Sequence, residues 1–208
     1  MARANYETRG INKGLQLCKV FMGCESLGDF EFCIRRYNAT HKRTLKYAHG
    51  VSRITIIEKD FVVKFDYRST SDFWKDGRAG SCESEAQFYY GKASKAGMEY
   101  LLAKPTYVSD VKTHRSFSVM PKIDRVNDSY RTWYYYCTPD EEEWLCENIN
   151  DLHRGNVGYK GDKVCVIDYA WEAENSSSES AITSIDISSN LKFIEEETVS
   201  TSDLWATE

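Results

Sequence analysis

The chain has no C-x-x-C spacing. Its seven cysteines, Cys18, Cys24, Cys33, Cys82, Cys137, Cys146 and Cys165, are odd in number and scattered, so neither a disulfide framework nor a zinc site is indicated. No apolar run approaches the ~20 residues of a membrane-spanning helix, and no secretory apolar core opens the chain. A reducing cytoplasm and no membrane partner are therefore expected. Positive charge is not in excess either: 27 Lys+Arg stand against 32 Asp+Glu, a formal net charge of −5. Nucleic-acid binding would need a basic face, so no nucleic-acid partner is expected. The Arg35-Arg36 and His41-Lys42-Arg43 clusters read as solvated faces.

With 208 residues the chain can form one domain with a sizeable core, or a small two-lobed one. Residues 1–43 hold two apolar segments, GLQLCKVFMGC and FEFCIRRY, and periodicity leaves helix and strand open for both. From Thr44 the pattern turns to strands. TLKYAHG, VSRITIIE and FVVKFDY alternate in polarity and are rich in β-branched residues, which predicts a three-strand antiparallel meander. Residues 68–81 form a polar connection. A helix is predicted from Ser81 as N-cap to Gly97, and two more strands follow in AKPTYVSD and HRSFSVMPKI. Together these make a five-strand sheet with one helix. Thr138-Pro139-Asp140 opens a further helix, with Pro at its first position and acidic residues in its first turn. The aromatic run Trp133, Tyr134, Tyr135, Tyr136 reads as core or interface, because no basic groove accompanies it. After Trp171 the chain is acidic and serine-rich, with the composition of a flexible tail. IDIS, LKFI and DLW form apolar islands within it.

The chemistry concentrates between Ile149 and Ala170, INDLHRGNVGYKGDKVCVIDYA. Gly155, Gly158 and Gly161-Asp162 are turn signals, and VCVI is a buried strand with Cys165 as a small core hydrophobe. The spacing puts Asp151 and Asn156 before a hairpin and Asp168 at its exit. Oxygen donors of this kind suit Mg²⁺, a hard cation that keeps several waters.

The order D-x-x-x-x-N followed by a strand-end Asp resembles the catalytic loop and metal-binding aspartate of the protein-kinase-like fold, and D-L-H-R-G-N resembles its compact form in phage kinase-like proteins and small-molecule phosphotransferases. The resemblance spans roughly residues 44–170. It implies an α+β, two-lobed fold: an N-lobe antiparallel sheet with one helix over 44–120, and a strongly reduced C-lobe over 121–171. Residues 1–43 would be an N-terminal extension and 172–208 an acidic tail.

The resemblance also implies roles for named residues. Lys64, in V-V-K-F, matches the strand lysine that grips the phosphates of ATP. Glu85, in E-A-Q-F-Y, matches its helical glutamate partner, with Glu83 as the alternative. Gly50, Val51 and Ser52 would cover the phosphates, and backbone groups of Met120 to Ile123 would bond the adenine edge. Asp151 would orient the acceptor hydroxyl, while Asn156 and Asp168 would hold Mg²⁺. The implied activity is phosphoryl transfer from ATP to a protein side chain or a small hydroxyl compound, in a host cytoplasm if the chain is phage-encoded. The alternative is an inactive pseudokinase that serves as a binding or host-interaction module.

The sequence departs from the family at several points. Ile149-Asn150 stand where H-R would precede the catalytic Asp, and the metal Asp is followed by Tyr169-Ala170 rather than F-G. G-x-G-x-x-G is absent. With the arginine of that H-R missing, regulation through an activation-loop phosphate is not expected, and beyond Ala170 no activation segment, A-P-E or helical lower lobe is recognisable, which removes the usual platform for a protein substrate.

Overall fold

Alternation along three neighbouring strands decides the architecture. In β2 (Arg53–Ile57), β3 (Phe61–Asp66) and β5 (Arg115–Pro121), one set of side chains, Ile54, Ile56, Phe61, Val63, Phe65, Phe117 and Val119, belongs to one buried cluster. Side chains alternate faces along a strand, so Arg53, Thr55, Ile57, Val62, Lys64, Ser118 and Met120 share the opposite face. The first face is core. The second carries the chemistry.

The computed structural model describes residues 5–42, 44–67, 82–125, 132–169 and 192–193, and shows an α+β fold. Its larger sheet has the order β1-β2-β3-β5-β4-β9, with β1 at Lys46–His49, β4 at Thr106–Asp110 and β9 at Lys192–Phe193. The first five strands pair antiparallel, with Thr55 opposite Lys64 and Lys64 opposite Ser118. β9, two residues of the LKFI island of the tail, adds a parallel edge beside Val108 and Ser109. The other tail residues and the 68–81 connection, with the Ser81 cap, lie outside the described residues.

The two segments that periodicity left open are helices. α1 (Tyr6–Val20) starts at Asn5, whose side chain accepts from the Glu7 N–H. α2 (Leu27–Thr40) starts in a capping box between Ser26 and Asp29. Such caps satisfy N–H groups that a helix's first turn leaves bare. Both helices cover the core face of the sheet, so two helices join the single one expected and residues 6–40 are part of the sheet's own core. Phe21 packs tilted against Phe30, with ring centroids 4.8 Å apart, and edge-on at 5.2 Å on Phe65, and each such side chain stabilises by roughly 1.5–3 kcal/mol through burial. α1 approaches β5 through Gly14, where a Cβ would collide with the Phe117 ring.

A second cluster lies elsewhere, around Phe88, Leu101, Met120, Trp133, Leu145, Ile149, Val164, Val166 and Tyr169. Its framework is α3 (Cys82–Gln87) continued by a π-helical turn (Phe88–Ala93), then α4 (Pro139–Asn148), and a small antiparallel sheet of β6 (Asp124–Arg125), β7 (Val157–Lys160) and β8 (Lys163–Val166). The helical run after β3 ends at Gly97, in the left-handed region at φ 70°, where glycine has no steric penalty. α4 opens as its sequence predicts: Thr138 and Glu141 form a capping box around Pro139. Gly161, at φ 65°, turns the β7–β8 hairpin.

Candidate active site

Lys64 sits mid-strand in β3 on the face away from the aromatic core. Its ammonium meets Glu85 Oε1 at 2.8 Å and donates to the Ile167 carbonyl at 2.7 Å. Glu85 reaches it from α3, whose first N–H, at Cys82, donates to both carboxylate oxygens of Asp66 at the end of β3. The β3 strand thus anchors the helix that supplies its own lysine's partner. Glu83 has no part in this contact, so of the two sequence candidates Glu85 is the one beside Lys64.

Glu85 is fully buried and holds a second cation: Arg53 Nη1, from β2, lies 3.0 Å from its Oε2. Arg53 Nη2 also bonds Asp168 Oδ1. Lys64, Arg53, Glu85 and Asp168 therefore form one charge-balanced cluster, two cations and two anions, drawn from β2, β3, α3 and the exit of β8. Burial pushes the Glu85 carboxyl above its ordinary value, against the pull of Arg53 and Lys64. Burial acts upward on Asp168 too, but there the Lys64 and Arg53 charges outweigh it and hold the carboxyl below the usual range. Asp168 is an ionised carboxylate at neutral pH.

The segment carrying Asp168 is held on both sides. Before it, the Ile167 N–H donates to the Asn156 carbonyl at 2.8 Å, an extension of the β7–β8 ladder that brings Asn156 next to Asp168. After it, Tyr169 is buried against Phe88 and donates its hydroxyl to the Ala103 carbonyl at 2.8 Å. Asp168-Tyr169 is thus held by a hydrogen bond on either side. Ala170 lies outside the described residues.

A cavity of about 340 Å³ opens on this cluster. Lys64, Asn156 and Asp168 line its polar end, with Gly155 beside them. Ala48, Ile57, Val62, Met120, Pro121, Ile123 and Ile167 supply apolar wall, joined by Thr55 and Lys122. The size falls within the range of small-ligand sites, and an apolar wall with a few convergent polar groups is their usual chemistry. At the Met120–Ile123 edge, Pro121 has no N–H to offer and the Lys122 N–H is donated to the Asp60 carbonyl at 3.1 Å.

No family model matches the sequence, and no curated protein does. Among solved structures, the Legionella pneumophila Lpg2603 kinase bound to IP6 is similar at a TM-score of 0.34 and 13% identity, over 64% of this chain and 53% of that one. The chain spans about half the length of that kinase. So slight a likeness assigns no family.

Other sequence candidates stand outside the cavity wall. Gly50, Val51 and Ser52 form the β1–β2 turn, closed by the Gly50 N–H on the Arg53 carbonyl at 2.9 Å, with Val51 exposed. Asp151 is also exposed. Asn156 Nδ2 donates to its backbone and side-chain oxygens, both at 3.1 Å, and His153 Nε2 lies 3.5 Å from it. Asp151 is therefore joined to the site through Asn156, whose amide oxygen is the end not used by Asp151. Among the described residues no group of three or more His, Cys, Asp or Glu could hold a metal. The available donors are one amide oxygen and one carboxylate. That set fits a hard, water-retaining cation such as Mg²⁺, which takes one or two protein ligands and completes its shell with phosphate and water.

Arg53 is the site residue that sequence reasoning missed. Alternation alone puts Arg53 and Thr55 on one face of β2, but only the strand register, which pairs Thr55 with Lys64, brings that face to the lysine. Among the described residues no helix is long and apolar enough to cross a membrane.

Proposed function

We propose that this chain is a compact phosphotransferase of kinase-like fold, using ATP and Mg²⁺ to phosphorylate a protein side chain or a small hydroxyl compound. One observation carries the reading: Lys64, paired with the buried Glu85, lines the same cavity as Asn156 and the ionised Asp168. Residues a hundred positions apart meet around one space of ligand size.

In this reading the sheet face of Ala48, Ile57, Val62 and Met120 encloses the base, and Lys64 meets the phosphates as a point charge. Asn156 and Asp168 would hold Mg²⁺, which supplies neutralisation of the charge that builds on the transferred phosphoryl group. Glu85 holds Lys64 in place. Asp151 would accept the acceptor's hydrogen bond at the mouth of the site. Phosphoryl transfer rests on positioning and charge stabilisation, so this small set suffices. The residue divisions follow: a sheet lobe, a reduced lower lobe carrying Asp151, Asn156 and Asp168, and a compact host-cytoplasmic enzyme of phage type.

The test is incubation of the full chain with γ-labelled ATP, Mg²⁺ or Mn²⁺, and generic protein and small hydroxyl acceptors. Labelled product or autophosphorylation is expected, lost in Asp168→Ala. No transfer with either metal would refute the activity.

A second reading, a pseudokinase binding module, is favoured by the exposure of Asp151 and the absence of Gly50, Val51 and Ser52 from the cavity wall. Thermal shift separates the two. A nucleotide at a hundred times its dissociation constant stabilises by about 2.7 kcal/mol. A shift with ATP·Mg²⁺ but no transfer supports the nucleotide-binding pseudokinase, and no shift supports a pure scaffold.

A further inference from the structure

Arg53 has no role in the reading so far, yet its placement calls for one. Its side chain is only 6% exposed and bridges two carboxylates, Glu85 Oε2 at 3.0 Å and Asp168 Oδ1. Lys64 already occupies the other Glu85 oxygen at 2.8 Å. Glu85 therefore has a partner without Arg53, and it is Asp168 for which the guanidinium is the direct counter-ion. Arg53 is absent from the cavity wall, where Lys64, Asn156 and Asp168 all appear. It reaches Asp168 from the protein side and leaves the ligand side open.

We propose that Arg53 is a resident counter-cation of the metal-binding carboxylate: it positions Asp168 and keeps the site neutral, so that free divalent metal binds weakly and enters together with the nucleotide's phosphates. The inference rests on Asp168 being a metal ligand in the function proposed above. A divalent ion approaching the present cluster meets two cations and two anions, with a guanidinium already on one oxygen of its carboxylate. Removing Arg53 leaves the cluster at net −1 in a partly desolvated setting, where charge is screened less than in water. Affinity for a cation must then rise. A triphosphate does the same job in the native chain by bringing its own negative charge.

The experiment titrates Mn²⁺ alone into the full chain, without nucleotide, and follows free Mn²⁺ by electron paramagnetic resonance. Arg53→Gln, which keeps an amide between the carboxylates but no charge, should bind Mn²⁺ at least about tenfold more tightly than wild type. Arg53→Lys, which keeps the charge, should stay within about threefold of wild type. Adding Asp168→Asn to Arg53→Gln should abolish the gain. A purely structural arginine would change stability in both single variants without separating their Mn²⁺ affinities.

Mn²⁺ binding by Arg53→Gln no tighter than wild type would overturn the inference. If Arg53→Gln folds only when Mn²⁺ is present, the metal has replaced the lost cation and the inference stands. If the variant stays unfolded whatever the Mn²⁺ concentration, Arg53 is structural and the inference falls. Thermal shift of the wild-type chain with ATP·Mg²⁺ keeps the two readings apart. Nucleotide binding without the Mn²⁺ gain sinks the Arg53 inference alone. The Mn²⁺ gain without nucleotide binding sinks the phosphotransferase reading and leaves Arg53 guarding a metal site.

Discussion

Truncating Glu85 to alanine should be among the most damaging single substitutions in this chain. The carboxylate is fully buried, and the side chains of its two partners, Lys64 at 2.8 Å and Arg53 at 3.0 Å, are 7% and 6% exposed. Removing one member of a buried ion pair costs about 3–5 kcal/mol, because the charge left behind has lost its compensation. Two cations are left here, but each keeps another partner, Lys64 on the Ile167 carbonyl and Arg53 on Asp168. The lower end, about 3 kcal/mol, is therefore expected. At roughly 2–4 °C per kcal/mol for a chain of this size, the midpoint should fall by about 6–12 °C. Thermal unfolding followed by circular dichroism measures it. Glu85→Gln, which keeps an acceptor oxygen, should lose about half as much. In the double mutant with Lys64→Met, the loss should fall short of the sum of the singles by about 0.5–3 kcal/mol, since the two side chains share one interaction. A loss under about 1 kcal/mol for Glu85→Ala, or strict additivity, would mean that the cluster is solvated and the reasoning wrong.

The seat of α1 on the sheet can be probed by Gly14→Ala. In an open helix this change stabilises by up to about 1 kcal/mol, but here the new methyl meets Phe117, and overpacking should destabilise by roughly 1–3 kcal/mol in urea titration instead. Thr138→Ala should cost about 1 kcal/mol by removing the cap of α4, with the site's cavity untouched and any ATP-induced thermal shift retained. Stability should also fall at acid pH. The Asp168 carboxyl is held below its ordinary value of 3.8, so its contribution is present above that value and is lost as pH falls through the lower folded one. Asp168→Asn should flatten that acid limb below about pH 4, and an unchanged limb would show that Asp168 is not ion-paired. Glu85 carries the opposite sign. Its raised carboxyl favours folding most below its ordinary value, and that contribution weakens as pH rises through the folded one.

Much of the local structure was legible because it depends on neighbours in sequence. Thr138-Pro139-Asp140 marks a helix start through capping chemistry, Gly97 and Gly161 mark stops and turns through positive φ, and the β-branched alternation of VSRITIIE and FVVKFDY marks strands. Asp151 and Asn156 are five positions apart, and their contact is local too. Residues 6–40 were less legible, since short apolar segments with charges between them satisfy helix and strand periods about equally. The caps at Asn5 and Ser26-Asp29 were the unused signal.

What the sequence determined by itself was therefore the inventory from Thr44 onward: which stretches are strands or helices, and which side chains carry charge suited to phosphate and metal chemistry. The tertiary structure alone decided how they combine. Pairing Thr55 with Lys64 turned an unremarked arginine at the head of β2 toward Glu85 and Asp168, and burial of Glu85 made both cations obligatory partners. Strand register and low local dielectric are long-range properties, set by which surfaces exclude water after the chain has closed on itself, and no local pattern encodes them.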